Sequence, residues 1–302
     1  MSDATVTPTT EMDRFRERLL ELIRAGDVEA VREALGELHP SDIADLVESL
    51  EEEEQLVLLR ALTLETASET LAEMEEGDER AALLAALAPE LGADLLRQMA
   101  DDDAADLIGE LEPHERSRIL STLPIEAAGD LQGLLRYDEE TAGGLMTTAL
   151  VSVEGTVTAG EAIDEVRRRG REVEDFYTVF VIDAGNRLLG TVPLDDLILA
   201  EPATPVSELV EPVVSSVPPE MDQEEVGRLL SRYNLVSMPV VNEFGQLLGR
   251  ITFDDVIDVI EAEQTEDILR LAGLSDDEGL RAGWGDAVRV RLPWLLVNLV
   301  TA

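Results

Sequence analysis

Cysteine is absent from this chain, and so is lysine. The first absence excludes disulfides, thiolate metal sites and thiol nucleophiles. The second makes all 23 basic side chains arginine, set against 66 carboxylates for a formal charge of −43. With no basic stripe to neutralise phosphates, nucleic acid is not expected as a partner. An anionic membrane surface would repel most of the molecule. Aromatic residues are scarce, at 3%. The two histidines, His39 and His114, each stand beside a proline at a helix start, which suits a cap or a surface position. No G-x-S-x-G, P-loop or G-x-G-x-x-G pattern stands in the right context, so catalysis is not expected. No window reaches the about 20 apolar residues that span a bilayer. Met1–Thr10 is Ser/Thr-rich without an apolar core. It is therefore no signal peptide, and 1–11 reads as a disordered lead-in.

What the chain has in excess is acid. A solvated acidic surface suited to a high-salt cytoplasm accounts for most of it, because at about 1 M salt the Debye length falls to about 3 Å and self-repulsion is screened. Acid content is thus no argument for metal binding, and position must carry that argument. One stretch stands out: Arg250 to Leu271, R-I-T-F-D-D-V-I-D-V-I-E-A-E-Q-T-E-D-I-L-R-L. It opens as a strand at Ile251 and passes through Thr252-Phe253-Asp254-Asp255, which has capping-box form with Asp in the Glu/Gln place. A helix follows, with the apolar stripe Ile257, Ile260, Gln264 and Ile268. Asp254, Asp255, Asp258, Glu261, Glu263, Glu266 and Asp267 decorate it, with no basic residue before Arg270. The first two suit a helix N-terminus. The rest repel one another at i,i+3 and i,i+4 and ask for a counter-cation.

With 302 residues the chain has room for two or three domains. Residues 12–136 read as helix throughout, with apolar positions at helical spacing in Phe15, Leu19, Leu22 and Ile23 and again in Leu56, Leu59 and Leu62. A loose repeat runs through them. H-P-S-D-I-A-D-L-V-E-S-L (39–50) is echoed by 101–111 and 124–135, and E-R-A-A-L-L-A-A-L (79–87) by 115–123. Pro40, Pro89, Pro113 and Pro124 mark helix starts. Short amphipathic helices at a fixed period cannot bury their faces singly, so an all-α superhelix of either hand is expected. One of its faces would carry Asp102 and Asp106. Residues 137–145, acidic and then broken by a Gly pair, read as a linker.

From Leu145 short β-runs alternate with helices. F-V-I-D-A-G-N-R-L-L-G-T-V-P-L-D-D-L-I (180–198) returns 59 residues later as P-V-V-N-E-F-G-Q-L-L-G-R-I-T-F-D-D-V-I (239–257). Each copy is a hairpin with a polar turn, a glycine (Gly190 or Gly249) in its second strand, and a D-D pair that caps a helix. Upstream of each stand another strand (150–153; 213–217) and another helix (159–168; 222–233), giving β-α-β-β-α units over 146–208 and 209–262.

Two such units in tandem resemble a pair of CBS domains, which stack through their sheets and often dimerise. The surroundings sharpen the resemblance. A helical superhelix is followed by Y-D-E-E-T-A-G-G-L-M-T, the CBS-like pair, D-D-V-I-D-V-I-E-A-E-Q-T-E-D-I (254–268) running into a connecting helix (263–291), and an apolar ending over 292–302 that looks like the start of a first membrane helix. Trp284, Arg289, Arg291 and Trp294 flank that ending as interface residues would. From about residue 15 onward this order is similar to the MgtE family of magnesium channels and transporters. The resemblance implies the cytosolic part of such a channel, cut or ending at the first membrane helix, at the cytoplasmic face of the cell membrane. It implies a homodimer through the CBS domains, with pore helices that this chain does not contain.

The same resemblance implies several Mg²⁺ sites. Between the helical domain and the CBS pair, the family's bridging positions fall on Glu69, Asp102, Asp106 and Asp255, with the Gly144 backbone nearby. In the CBS region and at the dimer interface they fall on Asp222, Glu224, Asp258, Glu263, Glu266 and Asp267. Ser231 would add a backbone carbonyl, and Asn234 stands where an acid is typical. Mg²⁺ suits such a set, since it takes oxygen ligands and keeps several waters. Without the ion acidic faces would repel and separate; with it they would close. The alternative is a free-standing CBS pair that binds adenosine nucleotides such as ATP and acts on a separate partner. Asp196 matches the ribose-binding place of nucleotide-binding relatives. Asp195 replaces a basic residue and Thr178 an aromatic, and both departures count against a nucleotide here.

Overall fold

Proline, acid and hydroxyl side chains decide where the helices of the first part begin. Residues 8–36, 38–170, 173, 176–257 and 259–260 are described in the computed structural model of the chain. Their first helices are α1 (Pro8–Ala25), α2 (Val28–Leu35), α3 (Pro40–Glu48), α4 (Glu52–Ala61), α5 (Leu64–Ala72), α6 (Asp78–Ala86), α7 (Pro89–Leu96), α8 (Asp101–Gly109), α9 (Pro113–Leu120) and α10 (Ile125–Leu134). Pro40, Pro89 and Pro113 open α3, α7 and α9, whereas Pro124 is one place earlier, at the cap of α10. Proline costs nothing there because its missing N–H would be unpaired anyway. Asp27 and Thr63 accept from the backbone N–H groups of Ala30 and Thr66, both at 3.2 Å. His39 does the same for Ser41, so this histidine is a cap, as its position suggested. α1 starts at Pro8, inside the stretch expected as a disordered lead-in.

Apart from α1, none of these helices exceeds 10 residues, too short to be stable alone. They hold by stacking. α2, α4, α6, α8 and α10 pack in succession, as do α3, α5, α7 and α9, while α1 lies on α2 and α4. This is the expected superhelix. Leu19, Leu35, Ile43, Leu58, Leu71, Leu83, Leu84, Leu95, Leu107, Ile108 and Ile119 fill its core, each contributing about 1.5–3 kcal/mol on burial. The expected stripe of α4 is shifted: Gln55, Leu58 and Leu59 are buried, and Leu56 and Leu62 only partly so. Gln55 is tolerated because its amide donates to the Val47 carbonyl at 3.0 Å and to Glu79 at 2.9 Å.

The scarce arginines of this unit have a common task. Arg32 donates to the carbonyl of Ala61 at the end of α4 (2.8 Å), Arg118 to Ala85 near the end of α6 (2.9 Å), and Arg80 to Ala72 at the end of α5 (3.4 Å). Arg16 reaches Ser49 beyond α3, and Arg116 reaches Gly109 and Leu111 at the end of α8. Helix C-termini leave carbonyls without partners and carry a partial negative charge, so a guanidinium fork satisfies both needs.

The chain divides into two compact units, and each is described by itself. The helical unit takes in the residues up to Glu139 together with Thr147–Ala149; the second takes in Glu140–Met146 and the chain from Leu150. The second unit contains β1 (Ser152–Glu154), α11 (Ala159–Arg169), β2 (Thr178–Ile182), β3 (Leu188–Pro193), α12 (Leu194–Leu199), α13 (Gln223–Tyr233), β4 (Ser237–Val241) and β5 (Leu247–Thr252). Residues 253–257 are again helical. β1 runs parallel to β2, and β2–β3 and β4–β5 are antiparallel hairpins in register Phe180↔Thr191 and Pro239↔Arg250. The tandem β-α-β-β-α reading therefore holds with one correction. The strand expected over 213–217 shrinks to a parallel bridge of Val217 with Val240, because Pro212, Pro218 and Pro219 remove the donors a longer ladder needs.

The two hairpin turns are built alike and meet. Asp183 accepts from the N–H groups of Gly185 and Arg187 (2.8 and 2.9 Å), and Asn242 from those of Phe244 and Gln246 (both 3.0 Å). Asn186 and Gly245 both take positive φ, 62° and 76°, which only Gly and Asn adopt readily. Leu188 N–H donates to Gly245 and Leu247 N–H to Asn186, at 3.0 and 2.9 Å, joining the repeats turn to turn. Gly190 has a different duty. A Cβ there would lie 2.3 Å from Val210 Cγ1 and 2.4 Å from the Glu211 carbonyl, so its bareness lets the inter-repeat segment pair with Thr191 through two backbone bonds.

Among the described residues no helix is long and apolar enough to cross a membrane. The connecting helix expected over 263–291 and the membrane start expected over 292–302 lie outside the described residues.

Candidate cation-binding surfaces

α8 begins D-D-D, and its three carboxylates go to three environments. Asp101 is turned toward the chain at 147–148: Thr147 and Thr148 both donate their hydroxyls to it, and the Thr148 N–H lies 3.1 Å from each of its oxygens. Asp102 is buried, 8% exposed. Asp106 is half-buried one turn further on the same face. Burial first, and then the charges of Glu76, Asp103 and Glu139, push the Asp106 carboxyl up to about 7; Arg80 works against them. Arg80 is itself committed, its guanidinium clamped on Glu110 at 2.6 Å with a side chain 3% exposed. Glu69 is exposed on α5, a helix that packs against α8.

In the second unit, α13 carries four of the expected positions. Asp222 is its N-cap, accepting from Glu224 N–H at 3.0 Å, and Glu224 is ion-paired with Arg228 one turn on. Asn234 is its C-cap, in the left-handed region at φ 51° and ψ 46°, with its N–H directed to the carbonyls of Leu230 and Ser231. Asparagine is, after glycine, the residue best suited to that backbone. The two ends of this 11-residue helix are about 16 Å apart, so Asp222 and Glu224 cannot share an ion with Ser231 and Asn234 of the same copy.

Gly144 belongs to a segment laid along the start of α13. Ala142 N–H donates to Met221 (2.7 Å), Gly143 N–H to Pro219 (2.8 Å) and Gln223 N–H to Glu140 (2.9 Å), and Thr141 bridges Asp222. This brings Gly144 into the neighbourhood of Asp222. Asp255 bends back to accept from the Thr252 N–H at 3.2 Å and from its hydroxyl, the return arm of the expected capping box. The first repeat differs: Pro193 caps α12 without a side-chain bond, and Asp195 and Asp196 stand exposed in its first turn. They answer the helix dipole there, which corrects the expectation that they cap. Asp258, Glu263, Glu266 and Asp267 lie outside the described residues.

Among the described residues, no group of three or more His, Asp and Glu is gathered tightly enough to hold a metal ion. The donors still fit Mg²⁺ in kind: hard oxygens, one or two from a given element, leaving room for the waters this ion keeps. Sequence reasoning missed Glu76, Asp103 and Glu139, whose approach to Asp106 depends on tertiary packing. It also missed Asp101, for which the D-D-D run was the available signal.

Comparison with known proteins places this geometry. The model of the MgtE intracellular N domain matches residues 38–140, and the CBS domain model matches 142–202 and 206–262. The crystal structure of the cytosolic domain of the Mg²⁺ channel MgtE in complex with ATP is 36% identical, covers 81% of this chain and 99% of that one, and superposes with a TM-score of 0.77. The chain belongs to the MgtE family. The soluble part of a magnesium transporter, also a crystal structure, matches with 32% identity, a TM-score of 0.75 and coverage of 83% and 99%. The magnesium transporter MgtE of Thermus thermophilus is 36% identical over 287 residues, which are 94% of this chain and 64% of that protein. The chain thus spans less than two thirds of that MgtE's length. In MgtE terms, α3–α10 correspond to the intracellular N domain and the two hairpin units to the CBS pair.

Proposed function

We propose that this chain is the cytosolic Mg²⁺-sensing part of an MgtE-type magnesium channel, lying at the cytoplasmic face of the cell membrane. What carries the reading, beyond family membership, is α8: two carboxylates one turn apart, buried and half-buried, the second of which feels the charges of Glu76, Asp103 and Glu139. That charge is costly to hold and is relieved by a divalent cation. In this reading Mg²⁺ is shared by carboxylates of the N domain (Glu69, Asp102, Asp106), of the CBS pair (Asp222, Glu224, Asp255) and of the connecting residues Asp258, Glu263, Glu266 and Asp267. Its binding favours a closed form that shuts the pore. An ion that binds only the closed form stabilises it by about 2.7 kcal/mol at 100 Kd, and a nearly complete switch takes roughly 5.5 kcal/mol, so two or more sites suffice.

Closure would act in a homodimer. The CBS unit leaves Leu189, Ile198, Leu199, Phe244, Phe253 and Ile257 substantially exposed, with Ile198 and Ile257 at equivalent repeat positions, and a second copy is the partner we assign to them. X-ray scattering and limited proteolysis at constant high KCl test the proposal. Mg²⁺ is expected to compact the chain and protect it where K⁺ does not; no Mg²⁺-specific effect would sink the sensor. Asp255→Asn with Asp258→Asn is expected to weaken the response, and full compaction in that variant would show the central site to be elsewhere.

A second reading is favoured by one observation: the MgtE relative whose crystal structure contains ATP. Here Asp196 would bind a ribose. The exposed Asp195 beside it repels phosphate, so weak or no binding is expected in calorimetry with ATP and AMP. Tight nucleotide binding without Mg²⁺-driven closure would favour this reading over the first.

A further inference from the structure

The Asp101 carboxylate accepts from two hydroxyls and a backbone N–H, and these partners lie on a segment with an unusual course. Residues 140–146 belong to the CBS unit, 147–149 to the helical unit, and the chain from 150 to the CBS unit again. The first part is fixed by backbone bonds of Ala142, Gly143 and Gln223 with Met221, Pro219 and Glu140. The second is fixed by Asp101, which takes the Thr147 hydroxyl on one oxygen, the Thr148 hydroxyl on the other, and the Thr148 N–H at 3.1 Å from both. A carboxylate offers about four lone-pair sites, and these contacts fill them. Asp101 therefore has no strong direction left for a cation, although it adjoins Asp102. Thr147 is buried, and its hydroxyl also accepts from the Ala149 N–H at 3.2 Å, so the segment holds a defined conformation.

We infer that Asp101 is a positioning residue, a clasp that makes 140–149 one cooperative strap. The chain crosses between units at 139–140, 146–147 and 149–150, and a backbone pinned on each side of such crossings has fewer conformations open to it than a free linker. The clasp is made of hydroxyls, amides and one carboxylate, so it works without a cation. It keeps the segment that carries Gly144 seated beside Asp222 while Asp102 and Asp106 lie within the next two turns of the helix that Asp101 opens. Opening the clasp lengthens the search that precedes cation sharing; this last step alone rests on the sensing function proposed above.

Hydrogen exchange of the 302-residue chain without Mg²⁺ tests the strap itself. In Asp101→Ala, Thr148 N–H is expected to exchange at least about tenfold faster, as loss of a bond to a charged acceptor implies. Ala142 and Gly143 are expected to loosen by a comparable factor. Thr147→Val with Thr148→Val leaves α8 untouched should Asp101→Ala fold poorly, and is expected to loosen the same amides less. Thr147→Ser with Thr148→Ser keeps the hydroxyls and is expected to match the wild type. Unchanged protection at Ala142 and Gly143, or a Ser pair as loose as the Val pair, would overturn the strap. In an Mg²⁺ titration followed by scattering, Asp101→Ala is expected to raise the compaction midpoint about tenfold, and an unchanged midpoint overturns the coupling. Absence of compaction in the wild type overturns the sensing function instead, and the exchange result still decides the strap.

Discussion

Asp106 is held well above the usual carboxylate range, opposite to the lowering that partners and backbone bonds give most acids. Its proton is held to about pH 7, chiefly by burial and then by Glu76 and Asp103. A folded-state value raised above the unfolded one means that the native form binds the extra proton between roughly pH 4 and 7. The stabilisation is fully present below that window and is lost as pH rises through 7. Asp106→Asn removes the group with little change of shape. Its thermal unfolding is expected to be flatter with pH, close to wild type at pH 5 and more stable by about 1–2 kcal/mol at pH 8, at about 1.4 kcal/mol per shifted unit before screening. A melting temperature that falls at pH 8 would contradict this account. Exposed groups behave otherwise: Asp183 and Glu161 have lowered values from backbone bonds to Arg187 and Gly185, and to Thr158. They act as local turn and cap fixtures.

At the scale of the element, the arginines separate into two kinds. Arg80 is buried against Glu110, which also accepts from Gly77 N–H at 3.1 Å, and so ties the turn before α6 to α8. Arg167 pairs with Asp164 in the open, with side chains 72% and 75% exposed. Arg80→Met should cost about 3 kcal/mol, because it strands a buried carboxylate, and adding Glu110→Gln should restore much of it. Arg167→Met should cost less than about 0.5 kcal/mol. Denaturant unfolding of the variants measures both, and equal losses would show that burial is not what distinguishes them. The glycines divide likewise. Gly190→Ala is expected to destabilise the CBS unit by about 1–3 kcal/mol through the clash with Val210 and Glu211. Gly129→Ala in α10 meets nothing within 4 Å and should stabilise by about 0.5–1 kcal/mol.

Much of this architecture was readable because its signals are local. Proline at helix starts, the D-A-G-N and N-E-F-G turns, and the return of one hairpin 59 residues later need no tertiary knowledge. The misreadings arose where distant groups decide. Gln55 occupies a core position because Val47 and Glu79 satisfy it. The strand before α13 nearly vanishes because prolines lie beside it. For the candidate site, it was the family resemblance that nominated Asp102, Asp106, Asp222 and Asp255. It could not reveal that Asp106 is crowded by acids from elsewhere in the helical unit, or that Asp101 is occupied by threonines 46 and 47 residues on.

For the whole molecule, the charge of −43 sets the solution behaviour. Melting temperature is expected to climb as KCl rises from about 0.1 M to about 2 M, as the Debye length contracts toward 3 Å. Mg²⁺ bound only by the folded, closed form should raise the melting temperature beyond what the same ionic strength of KCl achieves. A salt-independent melt would mean that the carboxylates are not in mutual strain.

The use of arginine on helix-end carbonyls has a wider consequence. Arg16, Arg32 and Arg118 are held by backbone oxygens of other helices, which every sequence of this fold must present whatever its side chains. Apart from Glu29, which lies 3.8 Å from Arg32, exposed glutamates of the superhelix could therefore be exchanged for glutamine or lysine while these arginines keep their backbone partners. The acidic coat is separable from the scaffold beneath it, and a lineage moving between saline and dilute habitats could shed or regrow it while inheriting the same frame.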